Sequence, residues 1–332
     1  MKKIGLLIIL LGLCTAVRAE SPEKKGLETI NRENAEAYIG FLASDALRGR
    51  EAGTQWGKIA GEYIVSNLKT LGVKPLYDSY YQPFEAYSKE RQKKGRWQVH
   101  PDSIALLKQE VHRKLEMNNI LCKIDGKNPD EFVVVGAHYD HLGFDPALEG
   151  DNIYNGADDN ASGVSAVLQL VKAFLATGVR PERTVIFAFW DGEEKGLLGS
   201  EYFVQTFPGI SEVKGYLNYD MIGRNADESN PGYLMYFYTE AHPVFGDWLK
   251  DSVEKYGLDL APDYRAWDRP VGGSDNASFA LRDVPVIWYH TAGHPDYHMP
   301  GDHTDRINWN KIVDITKASF ISAWNLANEK EY

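Results

Sequence analysis

From residue 119 onward, short apolar runs alternate with stretches whose apolar residues recur every three or four positions. FVVVGA at 132–137 is almost continuously apolar, the pattern of a strand buried on both faces. Beyond it, Val164, Val167, Leu168, Val171, Phe174 and Leu175 recur at i, i+3, i+4, i+7 spacing and predict one face of an amphipathic helix. TVIFAFW (184–190), GYLNYD (215–220) and VPVIWYH (284–290) read as further interior strands, with helices between them and around 309–327. This alternation predicts an α/β domain of three layers. Ahead of it, 27–76 reads as a helical layer, with apolar residues at helical spacing from Leu42 to Leu71, broken by the turn-prone LRGREAGTQWG. Residues 78–117, containing SKERQKKGRWQ, show no clear period; they are expected to form an exposed insertion too short to be a domain.

The chain has 332 residues, 43% hydrophobic and 25% charged, which fits a large globular core. Its first residues, MKKIGLLIILLGLCTAVRAE, combine two lysines, an apolar run and the small residues Val17 and Ala19. They predict a signal peptide over 1–19 and export to the periplasm or the exterior, leaving 20–332 as a single domain. The apolar run is shorter than the roughly 20 residues a membrane span needs, and no later segment reaches that length. Cys14, in LGLC, is a lipoprotein candidate, but Leu13 stands where lipidation usually wants a small residue. Removing 1–19 takes away Lys2, Lys3 and Arg18, so the formal charge moves from -11 to -14, with no basic footprint for nucleic acid. Cys122 then remains as the single cysteine, which excludes an internal disulfide and a thiolate zinc site. Within NILCKID it reads as a small buried hydrophobe.

Five potential metal ligands stand at predicted strand ends or in the loops beyond, where α/β sheets bind ligands. His138 follows strand 132–137, Asp159 lies in NGADDNASG, Glu194 follows Glu193 in FWDGEEKGLLGS, Asp220 ends LNYD, and His298 lies in HPDYHMPGD. Each has a plainer reading: a structural histidine, a solvated acid pair, or acids compensating a helix start. Their joint occurrence in this order points to a two-metal hydrolase centre. Asp140 is the natural acceptor for the second ring nitrogen of His138, and Asp159 has two oxygens with which to bridge. The three carboxylates and one bridging hydroxide balance two Zn²⁺ ions. The N/O donor set suits zinc, and manganese or cobalt could occupy it.

With AHYDHLG, GADDNASG, DGEEKGLLGS, NYDMIG and DYHMPGD in succession, and SDALRGREAGT ahead of them, residues 38 to 325 resemble the secreted bacterial di-zinc aminopeptidases of metallopeptidase family twenty-eight, clan MH. The resemblance implies a zinc-exopeptidase fold, α/β/α, on a mixed, mostly parallel sheet. It implies that His138 and Asp220 hold one zinc, Glu194 and His298 the other, and that Asp159 bridges them. Asp158 would then serve the helix start. Glu193 matches the general base that activates a water shared by the metals, and Tyr297 the tyrosine that stabilises the oxyanion, although a tyrosine there can also simply pack. The implied substrates are peptides with a free N-terminus.

The same family includes single-zinc glutaminyl cyclases and carboxypeptidases. The latter need a basic pocket, for which Arg224, Arg265 and Arg269 are the candidate sources. A non-catalytic binding protein is disfavoured because all five ligands and Glu193 are present. RAWDRPVGGSDNASF (265–279) corresponds in this resemblance to a loop near the substrate, where Asn276 stands in place of the histidine of many relatives, which leaves side-chain preference open. Trp267 either lines a specificity pocket or packs its loop. Nothing in the sequence specifies an oligomeric state.

Overall fold

The computed structural model describes residues 21–89, 96–267 and 273–332. The expectations for the signal peptide at 1–19, for Cys14 and for Arg269 lie outside these residues. The N-terminal layer comprises α1 (Pro22–Leu27), α2 (Arg32–Leu42) and α3 (Gln55–Leu71). Asn31 and Thr54 start α2 and α3 by accepting the backbone N–H groups of Asn34 and Gly57. The predicted break falls between these two helices. There Gly49 has φ 68°, and a Cβ on it would stand 2.0 Å from the carbonyl oxygen of Gly143, so only glycine lets this turn lie against the loop after the fourth strand.

The rest of the chain runs β1 (Lys74–Pro75), β2 (Tyr81–Lys89), α4 (Pro101–Leu107), β3 (His112–Ile124), β4 (Asn128–His138), α5 (Gly163–Ala176), β5 (Arg183–Trp190), α6 (Leu198–Thr206) and β6 (Val213–Tyr219). It continues through β7 (Tyr233–Thr239), α7 (Val244–Tyr256), β8 (Ala261–Trp267), α8 (Asn276–Ala280), β9 (Val286–His290) and α9 (Trp309–Asn328). The strands form one sheet in the order β1-β3-β5-β4-β6-β9-β7-β8, with β2 alongside β3. Its central strands β5, β4, β6 and β9 are parallel, and antiparallel joins occur at β3–β5 and β7–β9.

The apolar run of β4 divides between two cores, as a strand covered on both faces requires. Val133, Val135 and Ala137 pack into the larger core with residues of α2, α3, α5 and α9. Val134 packs on the other side with Phe203 of α6 and Phe279 of α8. The α/β/α layering expected from the sequence is therefore present. Cys122 is buried and free. No helix among the described residues is long and apolar enough to cross a membrane.

Two expectations are corrected. Residues 78–117 are not a loose exposed excursion: β2 pairs antiparallel with β3 from Tyr81↔Ile120 to Lys89↔His112, and α4 lies between the two strands in sequence. Gln82, Phe84, Ala86 and Ser88 are buried whereas Pro83 and Glu85 are exposed, a period of two interrupted only where Tyr87 is also buried. Phe84 and Ala86 join Val99, Met117 and Leu198 in a small core of their own. Residues 265–279, read as a loop, begin with the end of β8 and close with α8.

Candidate metal centre

All five sequence-predicted ligands lie at the carboxyl ends of the central parallel strands. His138 is the last residue of β4, Glu194 lies in the turn after β5, Asp220 follows β6, and His298 lies in the loop after β9. Asp159 comes from an irregular turn, Ala157–Ser162, that precedes α5; its φ of -101° and ψ of 95° are not helical.

The five side chains converge. His138 Nε2 is 3.3 Å from Asp159 Oδ1 and 3.8 Å from Asp220 Oδ1. His298 Nε2 is 3.2 Å from Asp159 Oδ2 and 3.2 Å from Glu194 Oε2. The two oxygens of Asp159 thus face different histidines. Ligand-capable atoms of His138, Glu193 and Asp220 lie within 4.8 Å of one another, as do those of His141, Asp159 and Glu194.

Such a cluster demands positive charge. Burial alone would push the His138 imidazole down, but Glu193 and the nearby carboxylates of Asp140, Asp159 and Asp220 hold it well above its ordinary value. Hydrogen bonds to Asp159 and Glu194 push the half-exposed His298 up to about 10. Burial would raise Asp159, yet His141, His138 and His298 hold it well below the usual carboxylate range. Divalent cations bound by imidazole nitrogen and carboxylate oxygen would supply the same charge.

A pH dependence follows. Both histidines are raised in the fold, so in chelator-treated protein the stability they contribute is whole below about pH 6.5, the unfolded value. For His298 it is lost as pH rises through about 10. The melting temperature of chelated protein is expected to fall between pH 6.5 and 10, and less so when zinc replaces the protons; differential scanning calorimetry at matched ionic strength tests this.

The remaining assignments divide. Glu193 lines a cavity of 290 Å³ together with Asp159, Asp220, Met221, Trp288 and Tyr297. Burial holds the Glu193 carboxyl well above its ordinary range against the charge of His138, and Asp220, Asp275 and Glu194 add to the rise. Tyr297 stacks on His298 with ring centroids 3.9 Å apart. Partial burial and the neighbouring carboxylates raise its phenol, so it stays a hydrogen-bond donor at neutral pH. His138 Nδ1 donates to the carbonyl oxygen of Asp140 at 3.2 Å, nearer than the carboxylate Oδ1 at 3.7 Å, and that Oδ1 accepts the Glu193 N–H. Asp140 therefore supports both residues, though chiefly through its backbone for His138.

Asp158 does not cap the helix. Its Oδ1 accepts the Gly223 N–H at 2.6 Å and its Oδ2 faces His294 Nε2 at 3.4 Å, while Asn160 Oδ1 accepts the Gly163 N–H at the start of α5. Arg224 is buried against Asp296 and Asp302, and Arg265 pairs with Asp263, so neither offers a carboxylate pocket. Trp267 stacks on Phe237, which stacks on Trp288; of the two tryptophans, Trp288 lines the cavity.

Three supporting residues carry no sequence-level assignment. Arg50, fully buried, donates to the carbonyl oxygens of Leu42, Tyr139, Asn155, Gly156 and Asp159. Burial pulls its guanidinium down, and Asp159, Asp302, Asp140 and Glu194 oppose that shift. Asp302 accepts the N–H groups of Asp158 and Asp159 at 3.0 Å each. His141 contacts Glu194. Each lies within a quoted motif, so the signal was proximity to a ligand, without a pattern that specifies a role.

Residues 119–321 match the model of Peptidase family M28. Leupeptin-inactivating enzyme 1 of Streptomyces exfoliatus is 31% identical over 172 residues, covering 51% of this chain and 34% of that protein. The chain therefore spans about a third of that relative's length. Among solved structures, the LapA aminopeptidase of Legionella pneumophila superposes with TM-score 0.69 at 21% identity, covering 100% of this chain and 81% of that one. BSAP, a zinc aminopeptidase from Bacillus subtilis, does so with TM-score 0.69 at 16% identity, covering 91% and 97%. These likenesses establish the fold.

Proposed function

Because the chain belongs to peptidase family M28, we propose that it is a zinc-dependent aminopeptidase, a metallo-exopeptidase that removes residues from the amino end of peptides. The observation that carries this reading is the division of Asp159, with one oxygen toward His138 and the other toward His298 and close to Glu194. His138, Asp159 and Asp220 would hold one zinc; Asp159, Glu194 and His298 would hold the second. When bound, zinc lowers the pKa of water toward about 7 and polarises a scissile carbonyl.

The chain's own groups supply the rest. Glu193, whose carboxyl lines the cavity, takes a proton from the attacking water and passes it to the leaving amine. Tyr297, keeping its proton, donates a hydrogen bond to the oxyanion as the carbonyl carbon becomes tetrahedral. A cavity of 290 Å³ beside the ligand cluster suits one side chain, which supports action at the end of a peptide. The reading extends to export, supported by the lysines, apolar run and small residues of 1–19.

The test is metal content together with product release from unblocked and N-acetylated peptides. About two zinc ions per chain and cleavage that requires the free amine are expected. One zinc with cyclisation of N-terminal glutamine would move the protein to the cyclase branch, and a metal-free, inert protein would overturn the reading.

A further inference from the structure

AHYDHLG contains a second histidine, and its placement differs from that of the five ligands. His141 is fully buried, and its Nδ1 lies 2.7 Å from Glu194 Oε1, while the other oxygen of Glu194 lies 3.2 Å from His298 Nε2. An ionised carboxylate only accepts hydrogen bonds, so Nδ1 must carry the hydrogen of this contact. Nε2 is buried with no hydrogen-bond partner, so the Nδ1 contact with Glu194 is the hydrogen bond that fixes this ring. The ring is confined. Its backbone N–H donates to the Arg50 carbonyl oxygen, and a Cβ on Gly156 would stand 2.6 Å from its Cδ2.

We infer that His141 is a positioning residue for the zinc held by Glu194 and His298: by occupying Oε1 through its Nδ1–H, it leaves Glu194 only Oε2 to offer the cation. A carboxylate free to rotate could chelate with both oxygens or swing away from Asp159. Tied at one oxygen, it presents the other in a fixed direction beside Asp159 Oδ2. His141, Asp159 and Glu194 also bring ligand-capable atoms within 4.8 Å of one another, and the amide variants below separate a hydrogen-bonding role from direct ligation. Hydrogen bonds that orient metal ligands typically govern metal affinity by about 10–100-fold.

The inference rests on the two-zinc reading, and zinc binding separates the two. Affinities are measured on full-length protein by competition with a chromogenic chelator, for wild type, His141→Ala, His141→Asn and His141→Gln, with circular dichroism of each chelated form reporting folding. His141→Ala is expected to weaken one of two zinc ions about 10–100-fold and leave the other unchanged. His141→Asn, whose amide nitrogen stands where Nδ1 was, should restore most of the loss; His141→Gln, which places its amide near the Nε2 position, should not. Two tightly held ions in folded His141→Ala, or Asn no better than Ala, would overturn the role of His141 alone. A wild type that takes up no zinc would overturn the metal centre and this role with it.

Discussion

Replacing Glu193 with glutamine is expected to lower kcat by about 10²–10⁴-fold, the usual contribution of a positioned general base, with KM and zinc content nearly unchanged. The substitution keeps size and shape and removes the ability to accept a proton. Glu193 is set for that task by its surroundings. Its backbone N–H is fixed by Asp140 Oδ1 at 3.0 Å, and its carboxyl lines the cavity beside Asp159 and Asp220. Since Asp159, Glu194, Asp220 and both histidines supply the expected zinc shell without it, the variant should bind metal normally. Steady-state kinetics on an unblocked peptide, paired with elemental analysis, decide the matter. Lost zinc would make Glu193 a ligand, and undiminished kcat would remove it from the chemistry.

Arg50→Met is expected to destabilise the protein by roughly 3–5 kcal/mol, the scale seen when a buried charged partner is removed. Five carbonyl oxygens converge on the guanidinium, from Leu42 in the helical layer, from Tyr139 after β4, and from Asn155, Gly156 and Asp159 in the turn before α5. Methionine fills space but leaves these acceptors in the interior without donors, each a further cost. Arg50→Lys should recover only part of the loss, since an ammonium has three donors at one point and cannot spread them as a guanidinium does. Urea unfolding of chelated wild type and both variants gives the comparison. Stability within 1 kcal/mol of wild type would mean that other groups hold the turn.

The ligand-bearing side of this centre was legible in the sequence because each of His138, Glu194 and Asp220 follows an apolar run that could hardly be anything but an interior strand. A ligand's neighbours were harder to read. Asp302 and Asp158 are 144 positions apart in sequence yet share a hydrogen bond, and Arg50 reaches residues 105 to 109 positions away, distances across which no local period carries information. The helix-cap reading of Asp158 failed for the same reason: Gly223 and His294, which engage its carboxylate, come from other loops. In β2, the charged and turn-prone residues that follow obscured a five-residue alternation over 82–86 that only pairing with β3 makes meaningful. β7 is not among the predicted strands, although its YLMYFYT is rich in the aromatic and apolar residues that strands favour.

The proposed metal ligands run from His138, at the end of β4, to His298, beyond β9, so the cluster cannot be completed until the whole central sheet has come together. Contacts this distant in sequence form late, because loop-closure entropy must first be overcome by neighbouring pairings. Zinc therefore acts on this chain as a latch and not as a nucleus: it adds stability by binding the assembled state and should slow unfolding far more than it speeds folding.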